Sequence, residues 1–138
     1  MAKQTVKIVE LTNSTGFPRR FTFGSTASCA VGDLLSLNDP RTASWCLVDS
    51  MPAAGVASME KSATDGSISV TAYTDLIVDA VASGVIVLGR PVMFTADNYV
   101  KAIPDASSLS IIYEGAKVAG YSMETGDAAE RINIRIKL

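Results

Sequence analysis

From residue 131 the chain reads Arg-Ile-Asn-Ile-Arg-Ile-Lys-Leu, so Ile132, Ile134, Ile136 and Leu138 alternate strictly with Arg131, Asn133, Arg135 and Lys137. Side chains of a strand point to opposite faces with period two, which makes this segment a half-buried antiparallel strand. Fraying would return four large aliphatic side chains to water at ~1.5–3 kcal/mol each, so the strand must sit in a sheet.

The same stretch has an echo upstream. Gly120-Tyr121-Ser122-Met123-Glu124, followed by Ile132-Asn133-Ile134, resembles Gly55-Val56-Ala57-Ser58-Met59-Glu60, followed by Ile68-Ser69-Val70. Ser58 precedes Ile68 by the same interval that separates Ser122 from Ile132. Further back, Gly32-Asp33-Leu34-Leu35 answers to Gly89-Arg90-Pro91-Val92, and Trp45-Cys46-Leu47-Val48 to Tyr99-Val100-Lys101-Ala102. Internal similarity fixes architecture before any local reading. Two copies of one β-meander are expected, 30–71 and 87–138, the second with extra residues around 104–115.

Between these landmarks the chain is a series of short strands with turn signals between them. Thr5 to Leu11 reads as a first strand whose apolar phase changes at Ile8-Val9, the mark of a bulge. Asn38-Asp39-Pro40, Asp65-Gly66 and Asp97-Asn98 carry turn chemistry, and Leu109 to Tyr113 could add a further strand. Over Asp75 to Ser83 the apolar residues Leu76, Ile77, Ala80 and Val81 make a helical stripe, with Asp75 as N-cap and Gly84 as stop; a short helix is expected, against the β-branched content. The fold class is therefore all-β or mainly β: a small barrel or sandwich of short antiparallel strands with at most one short helix. Residues 1–29 form an extended N-terminal arm and 30–138 a single body. The arm is rich in Ser, Thr and Gly, yet Phe17, Phe21 and Phe23 punctuate it. These either plug the domain's own core or dock on another chain.

Composition removes most chemistry. The 138 residues contain no histidine, hence no Ser-His or Cys-His nucleophile and none of the commonest metal ligands. Cys29 and Cys46 cannot make a zinc site alone, and no Gly-rich phosphate loop is present. Asp33, Asp49, Glu60, Asp65, Asp75, Asp79 and Glu124 leave carboxylate catalysis formally open, but most fall at turns or strand ends where backbone chemistry wants them. No enzyme activity, metal or cofactor is expected. Net charge is −2 with a pI near 5.0, so no global field draws nucleic acid or anionic membrane. Trp45 and Tyr99 lie in the apolar phase of their strands, as core residues do, whereas Tyr113 and Tyr121 could be exposed. The start Met-Ala-Lys-Gln-Thr lacks the apolar run of a signal peptide, so Cys29 and Cys46 are expected to be buried thiols, a disulfide between them being the alternative. Only 19% of residues are charged, against ~25% in an ordinary soluble domain. That suits a surface that packs against neighbours, or simply one rich in Ser and Thr.

The run of glycine-led short strands resembles the small capsid decoration, or cement, proteins of tailed bacteriophages. It comprises Val31-Gly32-Asp33-Leu34-Leu35-Ser36-Leu37, Ala54-Gly55-Val56-Ala57, Ile68-Ser69-Val70, Gly84-Val85, Gly89-Arg90-Pro91-Val92-Met93-Phe94, Ala119-Gly120-Tyr121 and the closing alternating strand. The similarity covers 30–138. It implies a β-barrel or β-tulip body that trimerises on the outer surface of the phage head, made in the host cytoplasm and bound to the major capsid protein. It implies no enzymatic activity, nucleic acid or membrane partner. It also implies an N-terminal arm that orders on the capsid, with Val6, Ile8, Phe17, Arg19, Arg20, Phe21 and Phe23 as docking residues. On that reading residues 1–28 are dispensable for folding and required for docking. Two alternatives remain: another virion component such as a tail part or head-fibre base, and a soluble small-ligand or sugar-binding module with a site between the repeats.

Overall fold

The structure, a computed structural model, describes residues 5–46, 52–103 and 118–138. It is built from two five-stranded barrels of one design. The first contains β2 (Arg19–Thr22), β3 (Leu34–Asp39), β4 (Thr42–Trp45), β5 (Ala53–Ala57) and β6 (Ser69–Tyr73), closed in the order β2-β4-β3-β5-β6. The second contains β7 (Asp75–Ala82), β8 (Pro91–Phe94), β9 (Tyr99–Ala102), β10 (Gly120–Ser122) and β11 (Arg131–Lys137), in the order β7-β11-β10-β8-β9, and a β7–β9 pairing closes the ring. In each barrel the first strand pairs antiparallel with the fifth and parallel with the third. β1 (Lys7–Leu11) precedes both barrels in sequence and pairs with the outer edge of β7.

The repeated glycines mark repeated turns. Asp33 N–H donates to Ala30 O at 3.1 Å and Arg90 N–H to Val87 O at 3.0 Å. Gly32 and Gly89 occupy the left-handed position of these turns, with φ of 91° and 82°. At Gly32 a Cβ would also lie 2.5 Å from Val6 O, so a side chain is excluded twice. Just before each turn an isolated bridge ties the barrel wall, Cys29 to Lys61 in the first and Ile86 to Gly126 in the second.

Several expectations change. The segment Asp75 to Ser83 holds a strand, β7 (Asp75–Ala82), and no helix. Leu76, Val78, Ala80 and Ala82 all point into the core, a period-two set that the i, i+4 stripe concealed. Pairing with β1 and β9 on one edge and β11 on the other outweighs the local helical pattern, and the β-branched Ile77, Val78 and Val81 suit it. The described residues of the expected arm, 5–29, supply two strands to the body. Within them β2 is a wall of the first barrel, and β1 lies on the second with the expected bulge at Val9, between Ile8↔Val78 and Glu10↔Ile77. The repeats accordingly begin one strand earlier than the echo suggested, at β2 and β7. Leu109 to Tyr113 lies outside the described residues.

A single residue, Thr74, separates β6 from β7, and the barrels are locked together by buried polar groups. The Asp97-Asn98 turn joins β8 to β9 with both residues in the left-handed region, φ 61° and 65°. Asn98, wholly buried, donates Nδ2–H to Asp33 Oδ1 at 2.9 Å. Its Oδ1 accepts from Leu34 N–H at 2.9 Å and from Trp45 Nε1–H at 2.7 Å. The other Asp33 oxygen accepts Ala30 N–H at 2.8 Å. A turn of the second barrel thus plugs into the start of β3 in the first. Leu34 joins the core shared with the second barrel and Leu35 the core enclosed by the first, as alternation along β3 requires.

At the other end of the seam, Asp75 Oδ1 accepts from Thr12 Oγ1–H at 2.8 Å and from Arg135 Nη2–H at 2.8 Å, stapling the segment after β1 to β7 and β11. Burial pushes the Asp75 carboxyl up, but the Thr12 hydroxyl, the Arg135 guanidinium and the charge of Lys137 outweigh it, leaving it below its ordinary 3.8.

Asn98→Ala, which strips the acceptor from two buried donors and the donor from a buried carboxylate, is expected to cost roughly 2–5 kcal/mol in urea unfolding; stability equal to the parent's would contradict this. The Asp75 contribution is full above the unfolded pKa and is lost as pH falls through the depressed folded one. Asp75→Asn should therefore show a shallower stability loss than the parent below about pH 4, followed by thermal melts across acid pH.

Candidate docking surface

The seven residues expected to dock on a partner divide into two groups. Val6, Phe21 and Phe23 are core residues, 5%, 4% and 1% exposed, and Ile8 packs half-buried against the second barrel's core. Phe21 and Phe23 fill the first barrel together with Leu35, Val70 and Ala72. Their side chains are consumed by the protein's own core. The polar composition around them is explained by Lys61, whose buried Nζ donates to Ser25 O, Ala27 O and Ser62 O at 3.2, 2.8 and 3.3 Å and lies 6.0 Å from the Phe23 ring. One buried cation satisfies carbonyls that no strand pairs.

Phe17, Arg19 and Arg20 remain on the surface. Phe17 is 48% exposed and held at φ 47°, a conformation that costs a side-chain-bearing residue of order 1–3 kcal/mol and needs external support. Support comes from Thr74, whose Oγ1–H donates to Phe17 O at 2.7 Å and whose N–H donates to Gly16 O at 2.9 Å. Arg20 points outward and donates Nε–H to Ser69 Oγ at 3.1 Å. Arg19 shares the inward phase of Phe21 but opens the strand, which places its guanidinium at the barrel mouth.

That mouth is a groove in two connected parts. One, of about 390 Å³, runs along Leu37, Asn38, Asp39, Pro40 and Pro52; the other, of about 250 Å³, reaches past Phe21 and Ala54 to Thr74 and Leu138 at the seam, and Arg19 borders both. The Asp39 carboxylate accepts Arg41 N–H at 2.9 Å; this bond and the Thr42 hydroxyl lower its pKa. Sequence reasoning selected Arg19 but missed Leu37, Pro40 and Pro52, which meet it only when the barrel closes.

Of the carboxylates considered for chemistry, Asp33, Asp65 and Glu124 hold backbone N–H groups, while Asp75 and Asp79 pair with Arg135 and Arg131. Asp65 accepts Ser67 N–H and Ser62 N–H, and Glu124 accepts Asn133 N–H at 3.0 Å. Asp49 lies outside the described residues, and no group of three metal-ligating side chains occurs among the described ones. Cys29 and Cys46 are buried thiols. Trp45 and Tyr99 are half-buried, Tyr121 is exposed, and Tyr113 is outside the described residues. Tyr121 belongs to a second surface feature, with Met123 and with Leu88, which Thr125 Oγ1 holds beside β10 by accepting Leu88 N–H at 3.0 Å.

No protein-family model and no curated protein sequence matches the chain. Among solved structures, the fold is similar to that of the head fibre gp8.5 N base of bacteriophage phi29. The TM-score is 0.51 at 15% identity, over 86% of this chain and 92% of that one. Coverage that wide takes in both barrels. At this identity the likeness is one of fold.

Phe21→Ala is expected to cost about 3–5 kcal/mol as a core truncation, whereas Phe17→Ala should stay within about 0.5 kcal/mol of the parent. Thermal melts of the two variants check the division between core and surface; equal losses would erase it.

Proposed function

We propose that the chain is a non-enzymatic structural protein of a phage virion, bound to the outer surface of the assembled head, where it stabilises the capsid lattice through contacts with the major capsid protein. The observation that carries this is the likeness of the whole two-barrel fold to a phage head-fibre base. The low charge content, the exposed Phe17 and Arg20, and the exposed Arg19 that borders an open groove support it. The docking element is then a fixed surface of the first barrel in place of an arm that orders on the lattice. The apolar group Leu88, Tyr121 and Met123 offers contact area to further copies of the chain, in keeping with a homotrimer.

Such a protein works by mass action. Binding only the mature lattice, it stabilises that lattice by RT ln(1 + [L]/Kd) at each site, and small increments accumulate over many sites. The fold likeness also favours a second reading, in which the chain anchors a fibre to the head. Anchoring needs attachment but no reinforcement of the lattice, so the two separate experimentally.

The purified protein is expected to cosediment with mature empty heads of its phage and to raise their melting temperature. Cosedimentation without thermal stabilisation would favour the fibre anchor. A protein that stays in the supernatant at every head concentration would overturn the virion reading.

A further inference from the structure

We propose that the mouth of the first barrel is a receptor for an extended protein segment that places one carboxylate on Arg19 and an adjacent aliphatic side chain in the cavity beside Phe21, Leu37 and Ala54. The assignment deepens the virion reading only in that the segment would belong to a head protein; the binding chemistry stands apart from it.

Charge argues for the carboxylate. In the inner part of the groove Arg19 is the only charged side chain among the described lining residues. The ion pairs formed among the described residues use Lys61, Arg131 and Arg135, and none of them engages the Arg19 guanidinium. A planar guanidinium at the rim of an apolar cavity is suited to a carboxylate, which it can grip with two parallel hydrogen bonds. Shape argues for a side chain entering a pocket rather than for an added strand. Pro40 and Pro52 border both parts of the groove, and proline has no N–H to offer a sheet ladder. Cavities of about 390 and 250 Å³ are sized for a few side chains and too small for a folded element.

Direction follows from Asp39. Its carboxylate stands in the outer part of the groove, held there by Arg41 N–H, and repels a second acid at that end. The bound segment therefore carries its acid over Arg19, its aliphatic residue toward Thr74 and Leu138, and a neutral or basic residue over Asp39.

The test titrates the full chain with a capped peptide, Ser-Thr-Leu-Glu-Val-Thr-Ser, and with its Glu→Gln counterpart, following backbone amide shifts by NMR. Saturable shifts centred on Arg19, Leu37 and Ala54 are expected, with affinity at least about tenfold lower for the Gln peptide, the loss of one charge-assisted contact. Arg19→Gln, an exposed substitution that should leave the melting temperature unchanged, is expected to abolish the difference between the two peptides. Shifts that do not saturate, that centre elsewhere, or that are indifferent to both changes would overturn the assignment. Cosedimentation separates it from the broader reading. Arg19→Gln protein that binds heads as tightly as the parent removes the groove from head docking and overturns the assignment of the bound segment to a head protein, while the virion role stands. Arg19-dependent peptide binding by a protein that ignores heads upholds the receptor and removes the virion role.

Discussion

Each barrel depends on its first strand being paired on both edges. β2 joins β6 antiparallel and β4 parallel; β7 joins β11 antiparallel and β9 parallel. Without that strand the remaining four form an open curved sheet with two raw edges and an exposed apolar inner face. With it, the ring closes and sets inward residues side by side on neighbouring strands, Phe21 beside Val70 in one barrel and Leu76 beside Ile136 in the other. β1 extends the logic, because it covers the outer edge of β7 at the end where β9 does not reach.

Closure alone would give two beads on a one-residue string. Asn98 prevents this. Its amide saturates a buried carboxylate, a backbone N–H and an indole N–H, all three on the first barrel, from a turn that belongs to the second. Such a network is favourable only when complete, since each of its members would be costly alone in an apolar seam. The same seam gathers Leu34, Cys46 and Val56 into the second barrel's core, so polar and apolar contacts fix one relative orientation. The groove at the mouth of the first barrel inherits its shape from that orientation, because Thr74 and Leu138 form its far wall.

Much of this was legible in the sequence, for physical reasons. The alternation of β11, the turn glycines Gly32 and Gly89, the Asp97-Asn98 turn and the bulge at Val9 are all local signals, and each sits where local chemistry required. What escaped was decided by distant partners. β7 carries a helical stripe of four apolar residues, and only its neighbours on both edges reveal that the period is two. Segment 19–23 lies among Ser, Thr and Gly, so Phe21 and Phe23 read equally as core plugs or as anchors for another molecule until the barrel wall and the buried Lys61 gave them surroundings. The groove was legible only as Arg19, since Leu37, Pro40 and Pro52 are brought to it by closure.

The N-terminal segment from Lys7 to Thr22 supplies two strands of the fold. The most direct measurement compares the full chain with a truncated chain beginning at Ala30, by circular dichroism and thermal melting. Removal of β1 and β2 opens the first barrel and uncovers the second, so the truncated protein is predicted to lose its cooperative transition. A truncated protein that melts within a few degrees of the parent would show that residues before Ala30 are a separable arm, and would contradict the account.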